Sequence, residues 1–187
     1  MKYTRTKISE IVICEPQMIS DERGHFMETF RQDLLEKFIG YEVNFCQDNE
    51  SKSSFGVLRG LHYQTSPYAQ TKLVRVIKGS VLDVIVDVRK GSPTFGEYIS
   101  IELNEINKRQ VFIPKGFAHG YVVLSDEAIF SYKVDNYYSP THDSGIAYND
   151  AKLNIDWRLS IDQLKLSEKD KNLPSFDKVS HFNFKES

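Results

Sequence analysis

The decapeptide SVLDVIVDVR, residues 80–89, alternates with a period of two. Leu82, Val84, Val86 and Val88 make one wholly apolar face, and Val81, Asp83, Ile85 and Asp87 make the other. A helix would scatter these residues around its axis, whereas a strand sorts them onto the two sides of a sheet. A slip of one residue would exchange the faces, so the pattern also fixes register. One face reads as core, and the other mixes carboxylates with apolar groups.

The same character extends outward. Further strands are expected at residues 9–14, 25–30, 42–48, 56–64, 71–78, 95–103, 109–113, 117–124 and 127–135, with Gly, Pro, Asn and Asp between them. So many strands with short connections predict an all-β sandwich or barrel. Helix is the minority. QDLLEKFI (32–39) places Leu34, Leu35, Phe38 and Ile39 on one stripe, and a second short helix is expected around SIDQLK (160–165). The last dozen residues, polar apart from a few phenylalanines, read as a loosely held tail.

At 187 residues the chain is the size of one domain. A formal charge of -2 offers no basic field for a nucleic-acid backbone. Cys14 and Cys46 lie in apolar, strand-like surroundings outside any zinc-ligand spacing, and read as reduced packing residues. With neither a leader-like h-region nor a membrane span in the sequence, a soluble cytoplasmic protein is expected.

Chemistry first suggests itself in VLRGLHYQ (57–64). In a regular strand Arg59 and His62 would point to opposite faces, because their separation is odd. Gly60 between them is the residue expected at a bulge, and a bulge could turn both side chains into one cavity. Taken alone, a strand histidine is more often a hydrogen-bonded core residue than a catalyst. Other weak signals accompany it: His119 in IPKGFAHGYV, Tyr132 and Tyr138 in SYKVDNYYSP, and Lys72 in TKLVRV, ordinarily a solvated strand charge. Asp170, in LSEKD, reads first as a surface charge. Folded back across the barrel mouth, it would instead hydrogen-bond His62 and raise its basicity. The five histidines, His25, His62, His119, His142 and His181, contain no H-x-H, so no metal site is expected.

Six blocks in fixed order, DERGHFMETF, FCQDNESKSSFGVLRGLHYQ, KLVRVIKGSVLDVIVDVRKGSPTFGEY, FIPKGFAHGYVVLS, YKVDNYYSP and LSEKD, carry a resemblance from about Ile11 to Asp170. The chain resembles the dTDP-4-dehydrorhamnose 3,5-epimerases, cupin-like jelly-roll enzymes of deoxysugar nucleotide biosynthesis. The resemblance implies a single jelly-roll domain over residues 1–187, with a segment from about residue 160 packing near the barrel mouth. It implies His62 as base with Asp170 as its orienting partner, Tyr132 as acid, and Lys72, helped by His119, at the enolate oxygen. Arg23, Phe26, Glu28, Gln47, Asn49 and Arg59 would hold the nucleoside diphosphate of a dTDP-4-keto-6-deoxy sugar, and Tyr138 would stack on its base. It further implies a homodimer with exchanged N-terminal strands and no cofactor, since no electrons are exchanged overall.

Tyr98 and Tyr148 stand where that family usually has tryptophan, which bears on substrate fit. Three readings compete with the double epimerase. One is a mono-epimerase or ketoisomerase with the same cavity, another a non-catalytic sugar-binding cupin, and the third a metal-dependent cupin dioxygenase.

Overall fold

The computed structural model describes residues 1–184. Its strands are β1 (Lys2–Arg5), β2 (Val12–Glu15), β3 (Met18–Asp21), β4 (Gly24–Met27), β5 (Gln47–Ser54), β6 (Leu58–Gln64), β7 (Lys72–Lys78), β8 (Ser80–Asp87), β9 (Arg89–Lys90), β10 (Tyr98–Asn104), β11 (Gln110–Ile113), β12 (Phe117–Val123), β13 (Glu127–Val134), β14 (Asp143–Gly145) and β15 (Phe182–Asn183). The two α-helices are α1 (Gln32–Ile39) and α2 (Glu168–Lys171). Six strands form one sheet in the order β1-β2-β11-β7-β13-β5, and five form another in the order β10-β8-β12-β6-β14. The pair is a cupin-like jelly roll, as the strand pattern and the resemblance led us to expect.

Alternation sorts the side chains of these sheets into three apolar layers. Between the sheets lie Val74 and Val76 of β7, Val81 and Ile85 of β8, Val111 and Ile113 of β11, and Phe130 of β13. Outside the five-stranded sheet, Leu82, Val84, Val86 and Val88 pack under Leu153, Trp157 and Phe176. Outside the six-stranded sheet, Val12, Leu73 and Phe112 pack under Leu35 of α1 and Val43. The opening decapeptide therefore has two core faces, and every residue of β8 from Val81 to Asp87 is buried. Its wholly apolar face looks outward beneath the C-terminal segment, while the face bearing Asp83 and Asp87 looks into the barrel. The buried charge of Asp87 is answered by Arg89, at 2.9 and 2.8 Å, and by hydroxyls of Ser92 and Thr94, both at 2.6 Å.

Helix α1 has the expected bounds. Gly40 closes it at φ 93°, with its N–H on Glu36 O at 2.8 Å. Four expectations need correction. The strand expected at residues 42–48 begins instead at Gln47 and runs through QDNESKSS to Ser54, because that polar segment pairs residue for residue with β13. Val43 and Phe45 alternate because they pack beneath α1, not because they join the ladder. Around SIDQLK there is only a single 3₁₀ turn, Ile161–Gln163, and the α-helix falls later, at α2. Cys46 is exposed, whereas Cys14 is buried and its thiol is pushed up to about 12 by burial.

The tail is not loosely held over its described part. Phe176 is fully buried, β15 pairs with β9, and the Tyr63 hydroxyl donates to Ser180 O. Residues 185–187 of the expected tail lie outside the described residues.

His181 sits in this cover between Phe95 and Phe176, with ring centroids 4.9 and 4.7 Å away, and its buried Nδ1 has no hydrogen-bond partner. Burial lowers its pKa below 6.5, partly offset by the nearby Phe176 backbone and Asp177. The unfolded chain therefore takes up this proton at a higher pH than the folded one, so stability is lost as pH falls below about 6.5. In urea melts between pH 8 and 5, His181→Phe is expected to flatten that part of the stability curve; an unchanged curve would contradict the assignment.

Candidate active site

Pairing of β6 with β12 contains an irregularity: His119 faces His62, but Tyr121 faces Arg59. Two steps along β12 match three along β6, so β6 carries one extra residue, and it falls at Gly60–Leu61. Gly60 has φ 120°, and a Cβ on it would lie 2.5 Å from Gly120 Cα and 2.7 Å from His119 O. No other residue fits that contact without displacing backbone. The inserted residue resets the alternation. Leu58, Leu61 and Tyr63 turn outward into the covered layer, while Arg59 and His62 both turn inward.

They line a cavity of about 690 Å³ between the two sheets. His62 comes from the five-stranded wall. Facing it from the six-stranded wall are Asn49 and Ser51 of β5, Lys72 of β7, and Phe130 and Tyr132 of β13. His119, Tyr138 and Asp170 complete the set that the sequence singled out at this place.

His62 Nε2 lies 2.6 Å from Asp170 Oδ1, across 108 residues of sequence. Asp170 is 4% exposed, so the expectation of a surface charge is corrected by the C-terminal segment, which folds across the mouth. Burial works against its charge, yet the bonds from His62 and from the Ser167 hydroxyl, at 2.8 Å, hold it below the usual carboxylate range. An ionised Asp170 accepts the Nε2 proton, which leaves the Nδ1 lone pair of His62 free to act as a base.

Lys72 is buried at 8% exposure, not solvated as a strand lysine ordinarily is. Its Nζ donates to His62 O at 3.3 Å. Burial pushes its pKa down to about 8, with Asp83 and Asp143 limiting the fall, so it remains mostly charged at neutral pH. His119 Nε2 lies 2.6 Å from the fully buried Asp83 Oδ1, while Asp83 Oδ2 has no partner. Tyr132 is held in its protonated form, its pKa raised by burial and by Tyr121 and lowered by Arg59.

Arg59 Nε donates to Ser53 Oγ at 3.2 Å, and Gln47, outside the lining, bonds Asn49 at 2.8 Å. Arg23, Phe26 and Glu28 do not line the cavity. Arg23 and Phe26 belong to the β3–β4 hairpin and its turn, where Arg23 pairs with Asp21 and Phe26 is 71% exposed. Tyr98 and Tyr148 do not line it either. They pack in the outer cover, so these two substitutions do not reshape the cavity wall.

Residues that the sequence reading missed are Asp83, Asp143, Lys165, Ser167 and Lys169. Asp83 was available in principle, since it stands on the alternating inner face of residues 80–89. Asp143 pairs with Lys169 across the mouth and accepts the Tyr138 hydroxyl at 3.0 Å. Nothing in their local sequence marks Asp143 or Lys165, and Ser167 and Lys169 flank the residue that was read. Among the described residues, no group of three His, Cys, Asp or Glu side chains is placed to hold a metal ion. The arrangement offers an oriented base on one wall and a neutral phenol and a buried cation on the other.

The sequence profile of the family described as dTDP-4-dehydrorhamnose 3,5-epimerase matches residues 5–178. The enzyme of that name from Shigella flexneri is 50% identical over 97% of this chain and 99% of its own. The crystal structure of the one from Elizabethkingia anophelis is 47% identical, with a TM-score of 0.92 over 95% of this chain and 98% of that one. The Legionella pneumophila epimerase, solved in complex with dTDP-4-keto-L-rhamnose, is 46% identical, with a TM-score of 0.94 over 98% of each chain.

Gly60→Ala tests the bulge directly. The forced contact with Gly120 and the positive φ are expected to cost more than about 2 kcal/mol, read as a lowered urea midpoint. A neutral outcome would mean that the β6–β12 approach is not fixed.

Proposed function

The chain belongs to the dTDP-4-dehydrorhamnose 3,5-epimerase family, and on that premise we propose how its cavity converts dTDP-4-dehydro-6-deoxy-D-glucose to dTDP-4-dehydro-L-rhamnose. The ketone at C4 acidifies the hydrogens on C3 and C5, and removal of either gives an enolate. Inversion then requires a base on one side of the ring and a proton donor on the other. The observation that carries this reading is the placement of His62 on one sheet and of Tyr132 and Lys72 on the facing sheet, around a single cavity.

His62 takes the proton, steadied by Asp170, and Tyr132 returns one from the opposite face. Lys72, with His119, stabilises the enolate oxygen, a task for which one preorganised donor is typically worth about 10²–10³-fold. Reprotonation of Tyr132 and release of the proton from His62 to solvent reset the pair for the second carbon. No electrons are transferred at any step, so the reaction calls for no redox cofactor. Arg59 holds the diphosphate with Gln47 and Asn49 beside it, and Tyr138 stacks on the base.

Arg23, Phe26 and Glu28 act, in this proposal, on the cavity of a second copy in a homodimer with exchanged N-terminal strands. Exposed Met18, Ile19 and Phe26 on the β3–β4 hairpin support that arrangement, because a free hairpin would leave them in water. In the same proposal the described residues, 1–184, form one catalytic domain, completed by the segment from about residue 160. A cytoplasmic setting belongs to the same reading, supported by the free thiols of Cys14 and Cys46. Among the described residues, no helix is long and apolar enough to cross a membrane.

In deuterated water, His62→Asn is expected to stop deuterium entry at both C3 and C5, followed by NMR. Tyr132→Phe is expected to admit deuterium with retention while inversion is lost. Uptake by His62→Asn at the wild-type rate would overturn the assignment. Lys72 loses its proton as pH rises through about 8, so turnover should fall on that side. Lys72→Arg, slower overall, should keep its rate to higher pH; parallel profiles would contradict the role given to Lys72.

A further inference from the structure

Asp170 is the third residue of α2, and Ser167 is that helix's N-cap. The Ser167 hydroxyl is used twice on the same residue. Its oxygen accepts from the Asp170 backbone N–H at 3.1 Å, and its proton goes to Asp170 Oδ2 at 2.8 Å. Since Oδ1 faces His62 Nε2, both oxygens of this buried carboxylate have partners. Two residues earlier the segment is fastened to the start of the strand that carries His62: Lys165 N–H donates to Gly56 O at 2.8 Å, and Leu58 N–H to Lys165 O at 3.0 Å. Gly56 admits no side chain there, as a Cβ would lie 2.1 Å from Gln163 O. Ser167 and His62 thus hang from one backbone frame.

We propose that Ser167 is a positioning residue for the base: it holds the Asp170 carboxylate so that Oδ1 meets His62, and it moderates the negative charge that His62 faces. The inference rests on the reading of His62 as the base. In this role Ser167 acts through Asp170 and His62. Without its hydroxyl the carboxylate is free to turn, and more of its charge falls on the imidazole. The first effect lowers the rate, and the second favours the protonated imidazole, which cannot accept a proton.

The test uses the full-length protein and the rate of deuterium entry as a function of pH. Ser167→Gly keeps an acceptable N-cap while deleting the hydroxyl; Ser167→Thr keeps both. Ser167→Gly is expected to lower the plateau rate about tenfold, near 1.4 kcal/mol, and to move the acid-limb midpoint to higher pH, with Ser167→Thr restoring both. A loss of rate with an unmoved midpoint would mean a purely structural cap and overturn the proposal. So would a Gly variant indistinguishable from wild type. His62→Asn, run beside them, separates the two levels: if it still exchanges, the reading of the base has failed, whereas if it is dead and Ser167→Gly is normal, only the role of Ser167 has.

Discussion

In an antiparallel ladder, side chains alternate between faces, and the site depends on breaking that alternation once. The extra residue in β6 lets Arg59 and His62, an odd number of positions apart, share the barrel interior. Here the break falls where two backbones approach too closely for any Cβ, with Gly60 against Gly120. Without it, a strand could deliver Arg59 or His62 to the cavity, but not both.

A second consequence of the two-sheet architecture is chemical. Proton exchange with inversion needs groups on opposite sides of a flat enolate, and a sandwich supplies two opposed walls in advance. The same enclosure makes charge expensive, so the buried ionisable groups of the barrel are answered by close partners. Asp170 has His62 and Ser167, Asp87 has Arg89, Ser92 and Thr94, and Asp83 has His119 on one oxygen only. Lys72 has weaker compensation, and its lowered pKa is the measure of that. Stability of the far end and activity at the near end thus obey one rule, that a charge taken from water must be met by hydrogen bonds.

The fold was legible where side chains alternate in polarity. SVLDVIVDVR, KLVRVIK and QDLLEKFI declare their period, and a lone glycine inside VLRGLHYQ marks the bulge. QDNESKSS was not legible as a strand, since its pairing with β13 is a backbone property that its polar side chains do not signal. Nor could the sequence show which face of residues 80–89 would look outward, because Leu153, Trp157 and Phe176, which cover it, lie more than sixty positions downstream. Depth was the main loss at the site. Asp170 looks like a surface charge until a segment over a hundred residues from His62 closes the mouth, bringing Lys165 with it, whereas Lys72 is buried on β7 against His62 O and Asp143 enters on β14 beside β6. The resemblance supplied His62, Tyr132 and Asp170 as a set; the spacing within the chain did not.

One cavity serving two carbons through one ketone is the central claim. The direct measurement is NMR of dTDP-4-dehydro-6-deoxy-D-glucose in deuterated water with the wild-type protein and no added metal or nicotinamide. Deuterium entering at both C3 and C5 is the predicted result. Entry at one carbon alone would reduce the activity to a mono-epimerisation, and no entry at either would contradict the account.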